Sequence, residues 1–423
     1  MTEERIPRLG SRAVFLIFLL ALTSRLVTIS VVGFRTVGFG DARAYLGAAK
    51  ALAQTGKYPL RTDSFFFRPP GYSAFLVAVT LGHPDRVAVA KAANAVLGAL
   101  VCLLLAALSA RIFRDRAVAL AAGAAGAVHP SFLLVSSDIQ SEPLFLFLLL
   151  ASGYFLLAST DRPSSSFALA AGASLGLAVL TRASALALAP FLAAPLFDRR
   201  IPPRARSHLA AAGLAGLLFV VAPWTLRNAL VFGRFLPVSD MGGSTFYDGN
   251  SHWNRRFYEL RNRGEYDAWI TALDRDKLER IRALAGRDPV AAARPSEYFG
   301  KLAVAECLAD PAGTLALAVR KSLDWLRPYP SPWFWPRRIV FSVGLLYVLL
   351  FGLAAFGLST APRRGVVRFS IVFLAVTMAV HVALIVVWRY RVPYWDPVLL
   401  LYGVFGAARL AGRDPALNSS RTS

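Results

Sequence analysis

Long runs of apolar residues are the feature that most limits how this chain can fold. Residues 13–34 contain a single charged side chain, Arg25, and nine later stretches are also strongly apolar. An α-helix rises about 1.5 Å per residue, so a run of about 18 residues or more can cross the hydrocarbon core of a bilayer. Only helices and closed barrels satisfy their backbone hydrogen bonds there, and long continuous runs favour helices. We therefore predict an all-α polytopic integral membrane protein.

About ten membrane spans are predicted, with both chain termini on the same side. The composition agrees, because 56% of the 423 residues are hydrophobic and the mean hydropathy is +0.50, which is high for a soluble protein of this length. Residues 13–34 are long for a signal-peptide core and lack a small-residue cleavage site, so we expect a retained first span. The predicted spans are 13–34, 87–108, 117–136, 143–159, 167–181, 183–197, 208–223, 339–358, 369–387 and 397–408.

The arginines in the short connections predict the orientation. One set of connections and both termini are rich in Arg, whereas the opposite short turns carry only Arg182, Arg389 and Arg391. Positive charge near the ends of spans is retained in the cytoplasm, so the Arg-rich side is predicted to be cytoplasmic. Residues 35–86, here called the first loop, and residues 224–338, here called the long segment, then lie outside.

Four regions follow from this topology. Residues 1–223 form a transmembrane module that includes the first loop, and the long segment is a helical subdomain that holds just over half of the acidic residues. Residues 339–410 form the C-terminal transmembrane helices, and 411–423 are predicted to be a disordered tail. The net charge of +22 is dispersed over loops beside the membrane, which indicates contact with membrane lipids and no nucleic-acid partner.

The first loop is unusually polar for its position beside a membrane span. In "FGDARAYLGAAKALAQTGKYPLRTDSFFFRPPGYSAF", Asp41 is suited to cap a helix that runs to about Gln54 and ends at Gly56. The two prolines before Gly71 then fix an extended turn, and an apolar helix follows. We expect two short helices along the outer membrane surface, with Asp41 and Arg68 at their ends.

The order of several motifs is similar to that of a known superfamily. These are "GDARAYLGAAKALAQTGKYP" and "FRPPGYSAF" in the first loop, then "SSDIQSEPLFLFLLL", "GLAVLTRASALALAP", "PWTLRNALVFGRFLPVSDMGGSTFYDGN" and "WRYRVPYWDP". Across most of its length the chain resembles the GT-C superfamily of polyprenyl-phosphate-sugar glycosyltransferases. The resemblance is to the branch that contains protein O-mannosyltransferases and the lipid A aminoarabinose transferase.

The resemblance implies a location and a donor. The chain would lie in the cytoplasmic membrane of a bacterium, with its active site facing the periplasm or exterior. Its donor would be a sugar linked to polyprenyl phosphate, and its acceptor a lipid, a glycan or a protein. Relatives in the aminoarabinose branch have a metal-ligating Glu where this chain has Phe67, so no cofactor is certain and a divalent cation stays an open alternative.

Glycosyl transfer from a lipid phosphate needs a base for the acceptor hydroxyl and cations for the departing phosphate. With the resemblance, Asp41 is the predicted base, although it is also suited to capping a helix. Arg68, Arg389 and Arg391 are the predicted phosphate ligands. For Arg389 and Arg391 the alternative is a pair of arginines that extend from a helix end to the membrane surface.

Further polar residues are weaker candidates. Glu142 lies where the superfamily has a second outer acid, and Asp138 precedes it by four residues, so both are predicted to orient the acceptor or a metal, with a solvated turn as the alternative for Asp138. For Arg182, pairing with a core acid is the preferred alternative to contact with the donor. The predicted contacts to the sugar or donor are Tyr45, Tyr72, Arg182, Tyr247 and Asn250.

Two other functions fit the composition. A membrane transporter or flippase of lipid-linked sugars would also carry charged groups between helices, but transporters place them near the bilayer midplane and usually in two related halves. A scaffold that binds a partner through the long segment would leave the acids and arginines at the outer edge unexplained.

Overall fold

The computed structural model describes residues 6–38, 41–62, 67–255, 266–288, 292–330 and 336–413, with the backbone alone at 266–270. Within these ranges every regular element is a helix. The predicted tail falls largely on residues 414–423, which lie outside the described ranges.

Seventeen α-helices and one long 3₁₀ helix are described. The first nine α-helices are α1 Ser11–Val32, α2 Asp41–Thr55, α3 Gly71–Val79, α4 Val87–Phe113, α5 Arg116–Val128, α6 Pro130–Ser136, α7 Glu142–Asp161, α8 Ser165–Thr181 and α9 Pro203–Phe232. The 3₁₀ helix Ala183–Phe197 lies between α8 and α9. The remainder are α10 Met241–Asn250, α11 Tyr266–Ala285, α12 Pro295–Ala309, α13 Pro311–Leu326, α14 Arg337–Thr360, α15 Arg364–Ala383, α16 Trp388–Arg391 and α17 Trp395–Leu410.

Six of these helices are long and apolar enough to cross a membrane, namely α1, α4, α7, α9, α14 and α15, so the chain is an integral membrane protein. Two bent pairs, α5 with α6 and α12 with α13, raise the count to eight if each pair is one span. The predicted spans at 167–181, 183–197 and 397–408 coincide with shorter helices, and the count of ten is not confirmed.

Glycines allow the transmembrane helices to approach closely. A Cβ atom on Gly172 of α8 would collide with the backbone carbonyl of Gly213 in α9, and one on Gly216 would collide with the carbonyl of Leu169. Helices associate in lipid mainly through such close packing. Lipid tails are as apolar as the helix side chains, so the hydrophobic effect contributes little to helix association there. The α8–α9 crossing therefore requires small residues on both helices.

The first loop has the two predicted helices. Helix α2 begins at Asp41 and ends before Gly56, whose φ of +67° lies in the left-handed region that glycine adopts readily. Helix α3 begins after Pro70. Tyr45 of α2 and Tyr72 of α3 are buried in one apolar cluster with Ile139, which precedes α7. This cluster seats both loop helices on the transmembrane module.

The described part of the long segment contains four helices, α10 to α13, in agreement with the predicted helical subdomain. Helices α12 and α13 meet at 109°. The segment is attached to the membrane helices by the buried Lys321 of α13. Its ammonium group donates to the carbonyl of Gly249 at the end of α10 and to that of Leu384 just beyond α15. A positive charge is favourable at helix C-termini, where carbonyl groups lack partners.

Candidate active site

The carboxylate of Asp41 lies between two guanidinium groups that come from distant parts of the chain. Arg68, just before the diproline, approaches Asp41 Oδ1 to 2.9 Å. Arg389, 348 positions away in α16, donates a hydrogen bond to Asp41 Oδ2. The Asp41 side chain is 20% exposed. The structure thus brings together three of the residues predicted for catalysis and phosphate binding.

A second carboxylate lies beside the first. Glu142 begins α7, its side chain is 1% exposed, and its Oε1 atom is 2.9 Å from Arg182 Nη1 and 3.8 Å from Arg389 Nε. These are ion pairs, and neither Glu142 oxygen accepts an aligned hydrogen bond from a described residue. Arg182 lies at the junction of α8 and the 3₁₀ helix, where its guanidinium covers the ring of Tyr390 at 4.9 Å. Arg182 therefore pairs with a core acid, which is one of its two predicted roles.

Two tyrosines form a wall of this cluster. The Tyr45 hydroxyl donates to Ser141 Oγ at 3.1 Å, and Arg68 lies over the Tyr45 ring at 5.5 Å. Tyr72 packs edge to face against Tyr45, with ring centroids 4.9 Å apart, and its hydroxyl accepts a hydrogen bond from Asn94. Burial raises the pKa of Tyr45, so its phenol is neutral near pH 7. Tyr45 is thereby a neutral support for Arg68.

The electrostatic balance keeps Asp41 ionised. Burial opposes its charge, but Arg389 and Arg68 outweigh burial and lower the pKa of Asp41 to about 2. Arg389 is affected in the opposite sense, because burial lowers its pKa whereas Glu142 and Asp41 raise it, with a net increase. Arg68, Arg182 and Arg389 together face the two carboxylates, which leaves one positive charge. We refer to these five side chains as the charged cluster.

Asp138 lies outside the charged cluster. Its carboxylate accepts the backbone N–H of Gly38 at 3.3 Å and is 3.6 Å from Lys91 Nζ, which itself donates to the carbonyl of Gly33. The Asp138 backbone carbonyl accepts from Asn94. These contacts fix Gly33 and Gly38 between α1 and α2, and Asn94 links Asp138 to the Tyr72 hydroxyl, so Asp138 supports the site without joining the charged cluster.

Arg391 also lies apart from Arg389, although both were predicted to bind phosphate. Positions two residues apart are separated by about 200° around a helix axis, so the side chains of Arg389 and Arg391 point in nearly opposite directions. The buried Arg391 pairs with Asp396 at 3.4 Å and donates to the carbonyls of Trp325 and Arg327 at the end of α13. It also covers the ring of Tyr347 at 4.6 Å. Its described contacts are those of an anchor for α16.

Tyr247 and Asn250 of α10 do not join the charged cluster either. The Tyr247 hydroxyl donates to Asp276 at 3.2 Å within the long segment. The Asn250 amide donates to the carbonyl of Ala383 at 2.8 Å, and its oxygen accepts from Lys321. Their described contacts fix the long segment to the end of α15.

Sequence reasoning missed two polar residues of the site. Gln140 accepts a hydrogen bond from Arg389 at 3.1 Å, and Ser141 accepts hydrogen bonds from Tyr45 and Arg182. Both lie in "DIQSEP", immediately before Glu142, and their position beside that predicted acid was the only signal that pointed to them.

The donor set of the cluster does not fit a divalent cation. Among the described residues, no three His, Cys, Asp or Glu side chains lie close enough together to hold a metal ion. Asp41 and Glu142 are both paired with guanidinium groups, and the surplus charge is positive. A divalent cation would have to displace those arginines, so we assign no reaction step to a metal.

Comparison with known proteins gives a family match over part of the chain and a similar fold. Residues 68–226 match the family model of dolichyl-phosphate-mannose-protein mannosyltransferases. The fold is similar to that of the oligosaccharyltransferase AglB from the archaeon Archaeoglobus fulgidus, solved with an inhibitory peptide and a dolichol-phosphate. The TM-score is 0.57 and the identity 14%, over 95% of this chain and 50% of that one. A search of curated proteins gave no match.

Two further solved structures are similar. The A. fulgidus oligosaccharyltransferase with zinc and sulfate has a TM-score of 0.54 at 13% identity, over 95% of this chain and 49% of that one. ArnT from Cupriavidus metallidurans, solved with undecaprenyl phosphate, has a TM-score of 0.43 at 16% identity, over 94% and 78%. The chain thus spans about half the length of the oligosaccharyltransferases it matches. The family match and the fold confirm the predicted resemblance to the GT-C superfamily.

Proposed function

We propose that this GT-C chain transfers a sugar from a polyprenyl-phosphate donor to an acceptor on the extracytoplasmic side of a bacterial cytoplasmic membrane. The observation that carries the proposal is the position of Asp41, ionised and held between Arg68 and Arg389 at the edge of a transmembrane module. A buried carboxylate beside guanidinium groups supplies both a proton acceptor and a phosphate site.

The charge of the cluster suits such a donor. A phosphodiester between a prenyl chain and a sugar carries one negative charge, and the charged cluster has one positive charge in excess. Guanidinium groups match phosphate oxygens in shape and hydrogen-bond direction. Arg68 and Arg389 are 13% and 32% exposed, so they hold the phosphate partly out of water, where the interaction is stronger.

The reaction is a single displacement that inverts the anomeric carbon. The acceptor hydroxyl oxygen forms a bond to that carbon while the bond from the carbon to the phosphate oxygen breaks. The bonding electrons leave with the phosphate, which gains a negative charge stabilised by Arg68 and Arg389. The hydroxyl proton passes to Asp41. When the phosphate takes hydrogen bonds from the arginines, Asp41 loses part of their stabilisation, and its pKa rises toward the range of a useful base.

Glu142 has a different role in the reaction. Its buried oxygens accept no aligned hydrogen bond from a described residue, and they face Arg182 and Arg389. A buried carboxylate with spare lone pairs is suited to accept hydrogen bonds from hydroxyl groups of the sugar or acceptor. Glu142 thus orients the reacting molecule and keeps Arg182 and Arg389 in place.

A flippase or transporter is the alternative function. Transport sites are expected near the bilayer midplane, between related halves. The charged cluster instead includes Asp41 and Arg68, which belong to the first loop, and this position favours chemistry at a membrane surface. Full transport of a lipid-linked sugar by an Asp41→Asn variant would support the alternative.

The test uses the full chain purified into lipid nanodiscs with a panel of prenyl-phosphate sugars and candidate acceptors, and it measures release of prenyl phosphate. We expect the native chain to consume at least one donor. Asp41→Asn should lower the rate by about 10² to 10⁴-fold, the usual contribution of a positioned base. Asp85→Asn is the matched control, because Asp85 is an exposed residue of the same loop.

Two results would refute the proposal. One is failure of the native chain to consume any donor while a known superfamily member does so in the same nanodiscs. The other is equal activity of the Asp41→Asn, Asp85→Asn and native chains, which would exclude Asp41 as the base. Binding of farnesyl phosphate by each variant, measured by calorimetry, distinguishes loss of the base from loss of the fold.

A further inference from the structure

A groove of about 500 Å³ opens between the loop after α9, the start of α10 and one face of α12. It is separate from the charged cluster and contains none of the predicted site residues. The side chains and glycines that matter for its chemistry are Arg234, Asp240, Gly242, Glu297, Gly300 and Lys301.

One wall of the groove alternates acids and bases. Arg234 lies 3.7 Å from Asp240 and 3.6 Å from Glu297, and Lys301 donates to Glu297 at 2.9 Å. The two cations and two anions that line the groove balance each other, and Arg294, which does not line it, is a further cation 3.9 Å from Glu297. The wall offers donors and acceptors side by side, which suits hydroxyl groups, since each hydroxyl both donates and accepts.

Backbone forms another part of the groove lining. Gly243 packs so closely on Ser296 and Gly300 that a Cβ atom there would collide with the Ser296 carbonyl. Gly242, one residue earlier, has open space where a side chain would be, with no atom within 4 Å of its ideal Cβ position. The lining also includes the apolar side chains of Leu236 and Val304. A flat, partly apolar groove with polar edges fits a sugar ring, which has an apolar C–H face and hydroxyls around it.

The groove is joined to the charged cluster through the first loop. The carboxylate of Asp240, in the groove wall, accepts the backbone N–H of Phe67 at 2.8 Å. The next residue is Arg68, whose side chain reaches Asp41. Consecutive Cα atoms are about 3.8 Å apart, so two adjacent residues, Phe67 and Arg68, link the groove lining to the charged cluster.

We propose that this groove binds the non-reacting part of a neutral glycan acceptor, whose terminal hydroxyl reaches Asp41. The inference rests on the proposed function and narrows its acceptor class. A peptide acceptor is the competing occupant, and the zero net charge of the wall disfavours a phosphorylated lipid headgroup.

The test blocks the groove without touching the charged cluster. Gly242→Leu places a side chain in the open space, and Leu favours a helix more than Gly does. Gly352→Leu is the matched control, since Gly352 is exposed on α14 and its Cβ position also has no neighbour within 4 Å. Full-length proteins in nanodiscs are probed with mannotriose, chitotriose and a Ser/Thr-rich decapeptide by saturation-transfer NMR, and with farnesyl phosphate by calorimetry.

We expect at least one trisaccharide to bind the native chain and Gly352→Leu, and Gly242→Leu to bind it at least tenfold more weakly. Farnesyl phosphate should bind all three chains equally. Three results would overturn the inference while the proposed function stands. They are absence of trisaccharide binding to the native chain, equal trisaccharide binding by the native chain and Gly242→Leu, and a loss of peptide binding alone in Gly242→Leu. Failure of the native chain to bind farnesyl phosphate would instead count against the proposed function.

Discussion

Arg389 and Arg391 are two residues apart but belong to different networks on opposite sides of α16. Arg389 donates to Asp41 in the charged cluster, whereas Arg391 is buried against Asp396 and the carbonyls at the end of α13. Helix α16 has only four residues, so its own hydrogen bonds hold it weakly. Arg391 therefore fixes the orientation in which Arg389 meets Asp41.

The first prediction concerns Arg391 as a positioning residue. Replacing Arg391 with Met leaves the buried Asp396 with the Tyr347 hydroxyl but without its cationic partner, which costs about 3–5 kcal/mol and should unfold much of the protein. The double variant Arg391→Met/Asp396→Asn removes both charges and should fold. We expect its kcat/KM to fall at least tenfold, through a lower kcat and a higher donor KM, because Arg389 would no longer be held where it meets the donor phosphate.

This prediction is measured by melting temperature and by donor turnover. A double variant that folds and turns over like the native chain would show that Arg391 only supports the fold.

The second prediction is a pH profile. Asp41 has a lowered pKa of about 2 in the free protein, below its ordinary 3.8. A depressed carboxyl pKa adds stability above the ordinary pKa, and that stability is lost as the pH falls through about 2. Asp41 should therefore give kcat/KM no acid limb between about pH 4.5 and 8, because kcat/KM reports the free enzyme.

In the donor complex, the phosphate competes for the two arginines, so the pKa of Asp41 rises and kcat acquires an acid limb at higher pH. The comparison requires donor turnover at saturating and at trace donor over that range. Identical acid limbs in both profiles would contradict competition between phosphate and Asp41.

The third prediction compares two neighbouring substitutions, Glu142→Gln and Arg182→Gln, that should change donor affinity in opposite directions. Glu142→Gln keeps the shape of the side chain and adds one unit of positive charge to the cluster, so prenyl phosphate should bind about fivefold more tightly, or about 1 kcal/mol. Arg182→Gln removes one positive charge and should weaken binding by a similar factor. Both should slow transfer.

Calorimetry with farnesyl phosphate measures this pair of effects. Shifts of the same sign in the two variants would mean that the charge balance of the cluster does not set donor affinity.

The fourth prediction tests the shape of Arg68. Arg68→Lys keeps the positive charge but loses the planar group that reaches Asp41 and phosphate together. We expect donor turnover to fall about 10- to 100-fold, whereas Arg86→Lys, at an exposed position of the same loop, should have no effect. Full activity of Arg68→Lys would mean that Arg68 acts through its positive charge alone and that its planar shape is not needed.

The fifth prediction concerns the fold alone. Gly172→Ala would place a methyl group against the Gly213 carbonyl, so the α8–α9 crossing must widen and the melting temperature should fall. Gly153→Ala is the control, because the Cβ position of Gly153 has no neighbour within 4 Å. Equal melting temperatures for the two variants would mean that this crossing contributes little to stability.

Local signals were sufficient to predict the elements of the first loop. Asp41 and Gly56 marked the two ends of α2, and the two prolines before Gly71 marked the start of α3, from neighbouring residues alone. The meeting of Arg389 with Asp41 was predicted through the resemblance, since no periodicity links positions so far apart. Arg182 had a physical signal, because a charge between two short apolar helices requires a partner.

Other parts of the site could not be predicted in this way. The separate directions of Arg389 and Arg391 depend on a four-residue helix, which is too short to show a periodic pattern in sequence. Gln140 and Ser141 are ordinary polar residues of a turn until the fold places Arg389 and Tyr45 beside them.

The separation of 348 positions between Asp41 and Arg389 also bears on how the protein is made. A ribosome synthesises the first loop early, but the guanidinium of Arg389 arrives only after the intervening residues have been made. Until then the carboxylate has one partner and the pocket is incomplete. Chains that stop before Arg389 would therefore lack the complete charged cluster, and synthesis through α16 determines when that cluster can form.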